Sequence, residues 1–350
     1  MNPGMFINLT SDRIATLPLA IVYVTDRCNS RCVTCDYWQF GRTNMPVARA
    51  RSLAAELVGM GTSAVLLSGG EPLLHPEWES IAAIFRSIGM KVWLLTAGLA
   101  LARAAERVAA VVDQVTISLD GATAETYESI RGVAAFDKVI AGARSLTELG
   151  VPTSFRTTVQ RGNYRELPAL VRLARAIGVD KISFLAIDVS THIAFARAED
   201  YNRTMALTTE DLPDFAAVLD ELESDFKPDF ASGFIAESPA KLRNLHAYFA
   251  DLIETSDDSE IAQVSNYISP VCNAPRFSAV IGADGNLQPC YFISGPKSQN
   301  GAPLRERLNT AEFVDLRRAI RTGRRHECTR CVCSMHKSAR ELVLGNPFPD

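Results

Sequence analysis

The residues of this chain best suited to chemistry are its eight cysteines, and they fall into two groups. Cys28, Cys32 and Cys35 stand near one end and Cys272, Cys290, Cys328, Cys331 and Cys333 near the other, with 236 cysteine-free residues between them. Cysteines used only as small core residues would be scattered, and two compact groups are not the framework of a disulfide-stapled domain. Thiols this close together in a reducing compartment ligate metal or do redox chemistry. Cys28-x3-Cys32-x2-Cys35 places three thiols within eight residues, so one loop can aim all of them at one place. A closed structural zinc site or a fully cysteine-ligated iron–sulfur cluster takes four ligands. Three leave one metal position for something else; by spacing alone, a zinc knuckle with a remote fourth ligand is the alternative.

The elements that must position this group read as repeated βα units. From Leu17 to about Ala186, short apolar or β-branched runs alternate with amphipathic stretches, the pattern of a parallel sheet covered by helices. Strands are predicted at Ile21 to Val24, Ala64 to Leu67, Lys91 to Leu95, Gln114 to Ser118, Thr153 to Val159 and Lys181 to Ala186. Helices are predicted at Val47 to Val58, Glu77 to Ile88, Ala100 to Val112, Phe136 to Leu149 and Tyr164 to Ile177, several closed by glycine-plus-apolar signals such as Gly150-Val151 and Gly178-Val179. Six repeats fall short of a full eight-stranded barrel of about 250 residues. The expected fold is therefore α/β, a partial (β/α)6 TIM-like barrel open on one side. The first cysteine group follows the first strand directly, at its carboxyl end, where parallel α/β folds place their chemistry. The second strand runs into Ser68-Gly69-Gly70-Glu71-Pro72. Paired glycines there permit close backbone approach to a ligand, and a carboxylate beside them can hold an ammonium group.

CxxxCxxC after one strand and GGEP after the next, inside a βα series, resemble the radical S-adenosylmethionine (SAM) enzymes over about residues 18–190. The resemblance implies a partial (β/α)6 barrel in which the three cysteines bind a [4Fe–4S] cluster. The unique iron of that cluster is chelated by the amino and carboxylate groups of SAM. Reductive cleavage then yields methionine and a 5′-deoxyadenosyl radical that abstracts hydrogen from substrate. Carried over by position, Cys28, Cys32 and Cys35 are the cluster ligands, and Gly69, Gly70 and Glu71 contact the SAM amino group. Ser118-Leu119-Asp120-Gly121, followed by Ile130-Arg131-Gly132, looks like the SLDG…RG pattern of the subgroup with auxiliary clusters, in which Ser118 and Arg131 address the SAM carboxylate. A structural arginine at a helix end is the alternative for Arg131. Where the family often has an aromatic just before the third cysteine this chain has Thr34, so adenine stacking is expected to fall to Tyr37 or Trp38, or to backbone near Leu185 on the sixth strand.

In the second group, Cys272-x17-Cys290 and Cys328-x2-Cys331-x-Cys333 bring thiols from a hairpin and from beyond a helix to one place. The hairpin is predicted from Phe277 to Gly282, a turn at Ala283-Asp284-Gly285-Asn286, and Leu287 to Tyr291; the helix, a basic one, from Thr310 to Thr322. Four cysteines close a site, and by residues alone a structural zinc is favoured. Beside the radical SAM front half, the pattern resembles the carboxyl-terminal extension called SPASM and its shortened form, twitch. Five cysteines here, against seven in the longer form, imply a twitch-like domain with one auxiliary [4Fe–4S] cluster on Cys272, Cys290, Cys328 and Cys331. Cys333 is left over as a small buried residue, a replacement ligand or a hydrogen-atom donor to a substrate radical. His326 and His336 flank the knuckle on a basic surface, with 11 basic against five acidic residues from Gly295 to Glu341. His75 reads as structural, and Tyr291 and Phe292 either pack the hairpin or face substrate.

The composition suits an ordinary globular chain: 350 residues, 47% apolar, 22% charged, net charge −4. That balance implies no nucleic acid or acidic membrane partner. No apolar run reaches the roughly 18 residues of a membrane span, and the reading is a cytoplasmic protein without a membrane partner. From Glu199 to Glu260 there are 16 acidic and four basic residues, on helices around Thr209 to Glu223 and Pro239 to Ile253. This is read either as a solvated insertion or as a cap over the open barrel. Domains are expected at 1–190 (barrel), 191–268 (acidic insertion) and 269–350 (auxiliary-cluster domain). Pro296 to Asn300 and Asn346 to Pro349 read as loops.

Fewer than thirty residues precede Cys28, too few for an amino-terminal peptide-recognition or cobalamin-binding domain, so the expected substrate is a small molecule. The expected activity is that of an oxidoreductase or lyase: oxidation, dehydrogenation or decarboxylation, with the auxiliary cluster relaying an electron. Flavodoxin or ferredoxin is the kind of electron donor implied. Peptide maturation, epimerisation with Cys333 as hydrogen donor, and a non-catalytic metal-stapled binding module are the other readings.

Overall fold

A computed structural model describes residues 3–189, 191, 195, 201–254, 267–269, 271–296, 301–333 and 335–343. The loop expected at 346–349 and all but the first residue of that at 296–300 lie outside these residues.

Six parallel strands follow one another in chain order: β1 (Leu19–Thr25), β2 (Ala64–Gly69), β3 (Lys91–Thr96), β4 (Gln114–Ser118), β5 (Thr153–Val159) and β6 (Lys181–Ala186). Helices Val47–Gly59, Trp78–Ser87, Leu101–Val111, Phe136–Glu148 and Leu167–Ile177 fill the crossovers. Each helix buries one stripe; in Leu101–Val111 it is Leu101, Ala104, Ala105 and Val108, the i, i+3, i+4, i+7 spacing of one helical face. On β5 the period is two. Thr153, Phe155, Thr157 and Val159 are buried, while Ser154, Arg156 and Thr158 alternate with them on the concave face. All seven residues of β1 are buried, which is why it reads as the unbroken run LAIVYVT: its outer face meets helices and its inner face meets Phe277, Val280 and Tyr291.

The predicted hairpin exists, but it does not stand alone. Its first strand, β7 (Ser278–Ile281), pairs in parallel with β1, Leu19 opposite Ser278 through Val22 opposite Ile281, and β8 (Leu287–Gln288) pairs antiparallel to β7. The sheet is thus eight strands in the order β6-β5-β4-β3-β2-β1-β7-β8, still open rather than closed.

Sequence periodicity misses the helix Ala124–Arg131, which has only eight residues and buries just Tyr127 and Ile130. Its ends are well defined: the Thr123 side chain accepts from the Thr126 N–H, and Gly132 closes it in the left-handed conformation.

The acidic insertion folds as helices Leu212–Asp225, Lys227–Ser232 and Pro239–Glu254. Phe215, Val218, Leu219 and Leu222 bury against Leu242, Leu245, Tyr248 and Phe249 within the main core. Between them Ile235 bridges Ile182 in parallel: the Ile182 N–H donates to the Phe234 carbonyl at 2.8 Å and the Ala236 N–H to the Ile182 carbonyl at 2.9 Å. The insertion therefore walls the outer edge of β6. Of its acids, Asp220 and Glu223 pair with Arg243 and Glu221 with Arg172 on the outside, while Asp211, Asp229 and Glu237 are buried.

Candidate active site

The carboxyl ends of the strands open into a cleft lined by Cys28, Cys32, Cys35, Gly69, Gly70, Ser118, Arg131, Tyr37 and Leu185. The segment directly after β1 carries the three thiols, and neighbouring motif loops fasten it. The Arg31 and Val33 N–H groups donate to the carbonyls of Arg131 (2.9 Å) and Ile130 (3.0 Å), and Gly70 and Glu71 donate theirs to Thr25 (2.9 Å) and Arg27 (2.8 Å). The glycines are needed for these approaches. Gly69 has φ of 127°, and a Cβ there would stand 1.9 Å from the Thr25 carbonyl oxygen; at Gly132, with φ of 67°, it would stand 2.3 Å from that of Arg31. Paired glycines after β2 thus first let chain meet chain, and their remaining surface lines the cleft.

Glu71 lies beneath that surface, fully buried. Its carboxylate accepts from the Thr96 hydroxyl (2.7 Å), the Ala97 N–H (2.7 Å) and the Leu73 N–H (3.1 Å). Burial raises its pKa against the pull of these donors. Both its oxygens are engaged inside the fold, and the lining of the cleft at this point is made by Gly69 and Gly70.

Arg131 reaches back from the end of its helix into the cleft. Its Nε lies 2.8 Å from Asp120 Oδ2, and its Nη1 donates to Cys32 Sγ at 3.5 Å. Burial disfavours the charge, but Asp120 and Cys32 more than offset it, so the guanidinium pKa rises above its ordinary value. Asp120 is held in turn by the Thr158 N–H at 2.8 Å. Arg131 is thus a structural arginine at a helix end, ion-paired with Asp120, and it also stands beside the cysteines. Burial pushes the Cys28 thiol up to about 11 and the Cys35 thiol up to about 12.

Tyr37 lines the cleft and meets Tyr23 edge-on with centroids 6.2 Å apart; Trp38 is exposed and outside the lining. Tyr291 stacks on the same Tyr23 at 6.3 Å. Together with Phe292 and Val332, it makes the carboxyl-terminal segment a wall of the cleft. Phe195, for which the sequence held no signal, closes another side: its ring meets Phe292 at 6.1 Å and its carbonyl accepts from the Asp36 N–H at 2.9 Å. Tyr23, Thr96, Asp120 and Thr158 were also missed as lining residues. They occupy inward positions or carboxyl ends of their strands, so period-two counting would have found most of them.

The five remaining cysteines gather behind that wall. Charge on Cys272 is felt at Cys290, Cys328, Cys331 and Cys333, and burial pushes Cys290 up to about 12 and Cys328 up to about 11. The Cys331 thiol donates to the Cys333 carbonyl at 3.2 Å. Among the described residues no three His, Cys, Asp or Glu side chains converge as a site for one metal ion. His326 and His336 are exposed, and His75 is buried with Nε2 at 2.9 Å from the Met45 carbonyl and Nδ1 accepting from the Glu77 N–H.

An open parallel sheet with a thiol-lined cleft at its carboxyl edge is the partial TIM barrel of the radical SAM enzymes, and residues 22–174 match the family described as the radical SAM superfamily. That match spans 153 of the 350 residues, and over them the chain carries a radical SAM domain. It is 33% identical over 193 residues to the pre-heme d1 synthase of Dinoroseobacter shibae, covering 53% of this chain and 46% of that one. To the AdoMet-dependent heme synthase of Methanosarcina barkeri it is 32% identical over 163 residues (44% and 46%), and to GTP 3′,8-cyclase 1 of Mycobacterium tuberculosis 30% over 193 residues (50% and 53%). The chain thus spans about half the length of the curated relatives it matches. Among solved structures, anSMEcpe with bound AdoMet and a peptide superposes with a TM-score of 0.64 at 19% identity, over 93% of this chain and 92% of that one. Streptococcus suis SuiB bound to S-adenosylmethionine gives 0.64 at 16%, over 88% and 69%. These two likenesses show the fold. No helix among the described residues is long and apolar enough to cross a membrane.

Proposed function

We propose that the chain is a SAM-cleaving radical enzyme acting on a small molecule, with one [4Fe–4S] cluster on Cys28, Cys32 and Cys35 and an auxiliary one on Cys272, Cys290, Cys328 and Cys331. When bound, the first cluster and SAM supply a 5′-deoxyadenosyl radical that abstracts hydrogen from substrate. The observation that carries this reading is the joining of three motif loops around one cleft, with the Arg131 guanidinium 3.5 Å from Cys32 Sγ. Three soft thiols suit iron and sulfide, and the buried cation beside them offsets the negative charge such a group brings.

Arg131 engages Asp120 through Nε and Cys32 through Nη1, which leaves further N–H groups to hold the SAM carboxylate beside Ser118. Gly69 and Gly70 present backbone to the amino group, and Tyr37 and Leu185 flank the space for adenine. Residues 1–190 act as the barrel, 191–268 as the insertion and 269–350 as a twitch-like auxiliary domain. Cys272, Cys290, Cys328 and Cys331 would hold the auxiliary cluster, which when bound would supply an electron acceptor suited to net oxidation, dehydrogenation or decarboxylation. Electrons for SAM cleavage come from a flavodoxin- or ferredoxin-type donor.

Peptide maturation is the second reading, prompted by SuiB bound to its precursor peptide and anSMEcpe bound to a peptide. Against it, Asp220, Glu221 and Glu223 of the insertion are already paired with arginines, which weakens their attraction for a basic leader.

Anaerobic iron and sulfide quantitation, followed by incubation with SAM and a strong reductant, tests the proposal. About eight irons in the reconstituted protein should fall to about four in a Cys28/Cys32/Cys35→Ala variant, with 5′-deoxyadenosine formed by the unmutated protein alone. Zinc in place of iron, or no SAM cleavage, overturns it.

A further inference from the structure

We propose that Arg156 anchors an oxyanion of the substrate, a carboxylate or a phosphate ester, on the concave wall of the barrel between the SAM cleft and Cys333. This rests on the radical SAM reading of the same site and adds a substrate class to it. Alternation along β5 carries the placement. Phe155 and Thr157 are buried on the helix side, Thr158 lines the cleft, and Arg156 is the next residue on the same face, about 7 Å further down the strand. Arg156 is exposed, and among the described residues its guanidinium has no hydrogen bond or ion pair, while its backbone carbonyl accepts from the Leu119 N–H. The other arginines near this face are committed: Arg131 to Asp120, Arg161 to Asp211 and Arg330 to Asp251.

Across the concave face, its charge acts on the Tyr291 phenol and the Cys333 thiol. Lys241 also acts on Cys333, but its ammonium lies 3.8 Å from Glu237, which is held by the Ser183 hydroxyl (3.1 Å) and the Phe184 N–H (2.8 Å). Arg156 is therefore the uncompensated cation of the set. Its planar fork matches the paired oxygens of a carboxylate or phosphate, and the ring of Tyr291, stacked on Tyr23, offers a flat apolar wall for the rest of the molecule. An oxyanion at Arg156 sets the ligand's body between the anchor and the cleft, with Cys333 alongside.

The test is anaerobic calorimetry on the reconstituted full chain with SAM present, using phenylacetate, phenyl phosphate and the neutral phenylacetamide as probes. One or both anions should bind and the amide should not; whichever anion binds assigns carboxylate or phosphate. Arg156→Gln should weaken binding at least about tenfold and Arg156→Lys by less, while Arg51→Gln on the outer helix Val47–Gly59 binds as the unmutated protein does. In the unmutated protein, phenylglyoxal should modify Arg156, and the bound anion should slow that reaction when followed by peptide mass spectrometry. Failure of both anions to bind, equal binding of the amide, undiminished binding by Arg156→Gln, or labelling unaffected by anion each overturns the proposal. Absence of 5′-deoxyadenosine from the unmutated protein is a separate result, which sinks the radical reading.

Discussion

Arg131 concentrates the site's energetics in one side chain. It neutralises buried Asp120 and touches Cys32, so its removal acts on fold and site together. Arg131→Met leaves a buried carboxylate without its partner, a loss of about 3–5 kcal/mol that thermal unfolding will register. Adding Asp120→Asn should restore part of that stability. It should not restore SAM affinity, expected to fall about tenfold with the guanidinium; if the double variant binds SAM normally, Arg131 has no role toward the cofactor. At Glu71 the expectation is structural. Glu71→Gln exchanges one of its acceptor oxygens for an NH₂ donor facing donors and should cost about 1–3 kcal/mol in a denaturant melt, with Thr96→Val costing less because it removes one hydrogen bond to that carboxylate.

The element that matters most is the cysteine loop, held by two neighbours rather than by its own structure. Gly132 is where this shows. Alanine there must adopt the left-handed conformation and also push the Arg31 carbonyl away, whereas at Gly178, with φ of 85° and nothing within 4 Å of where a Cβ would stand, only the conformational cost applies. Gly178→Ala should cost about 1 kcal/mol. Gly132→Ala should cost clearly more and lower the iron retained after reconstitution; equal losses for the two variants would mean the loop does not depend on this contact. The insertion is an element of a different kind. Its helices bury Phe215, Leu222, Tyr248 and Phe249, each contributing about 1.5–3 kcal/mol, so excising it would damage the β6 edge. Charge substitutions at Glu221 and Glu223 are the cleaner probe of peptide binding.

Across the whole molecule, the two ends of the chain are tied together. Asp12 accepts from Arg321 Nε at 2.9 Å and Nη2 at 3.0 Å and from Arg318 Nε at 3.2 Å, and Asn8 donates to the Thr16 and Arg276 carbonyls. Hydrogen bonds from Arg321 hold the Asp12 carboxyl below its ordinary value of 3.8. A depressed folded-state pKa stabilises above the unfolded value and loses that effect as pH falls through the folded one. Asp12→Asn should therefore cost up to about 1 kcal/mol near neutral pH, since its arginines are half-exposed, and the difference should vanish well below pH 3.8 in urea melts at matched salt. How much of this was legible beforehand follows from range of interaction. Periodicity depends on near neighbours, so the six strands, their crossover helices and the placing of Cys28, Cys32 and Cys35 after the first strand were readable from the residues themselves. The GGE and RG pairs announced backbone approach, because only glycine tolerates it. What those glycines approach was not readable, nor was the carboxylate of Glu71 turned inward, nor β7 laid beside β1. Phe195 reaching Phe292 belongs with them. Each joins residues far apart in the chain, and their meeting is decided by which surfaces bury together once the sheet has formed, a choice no local pattern encodes.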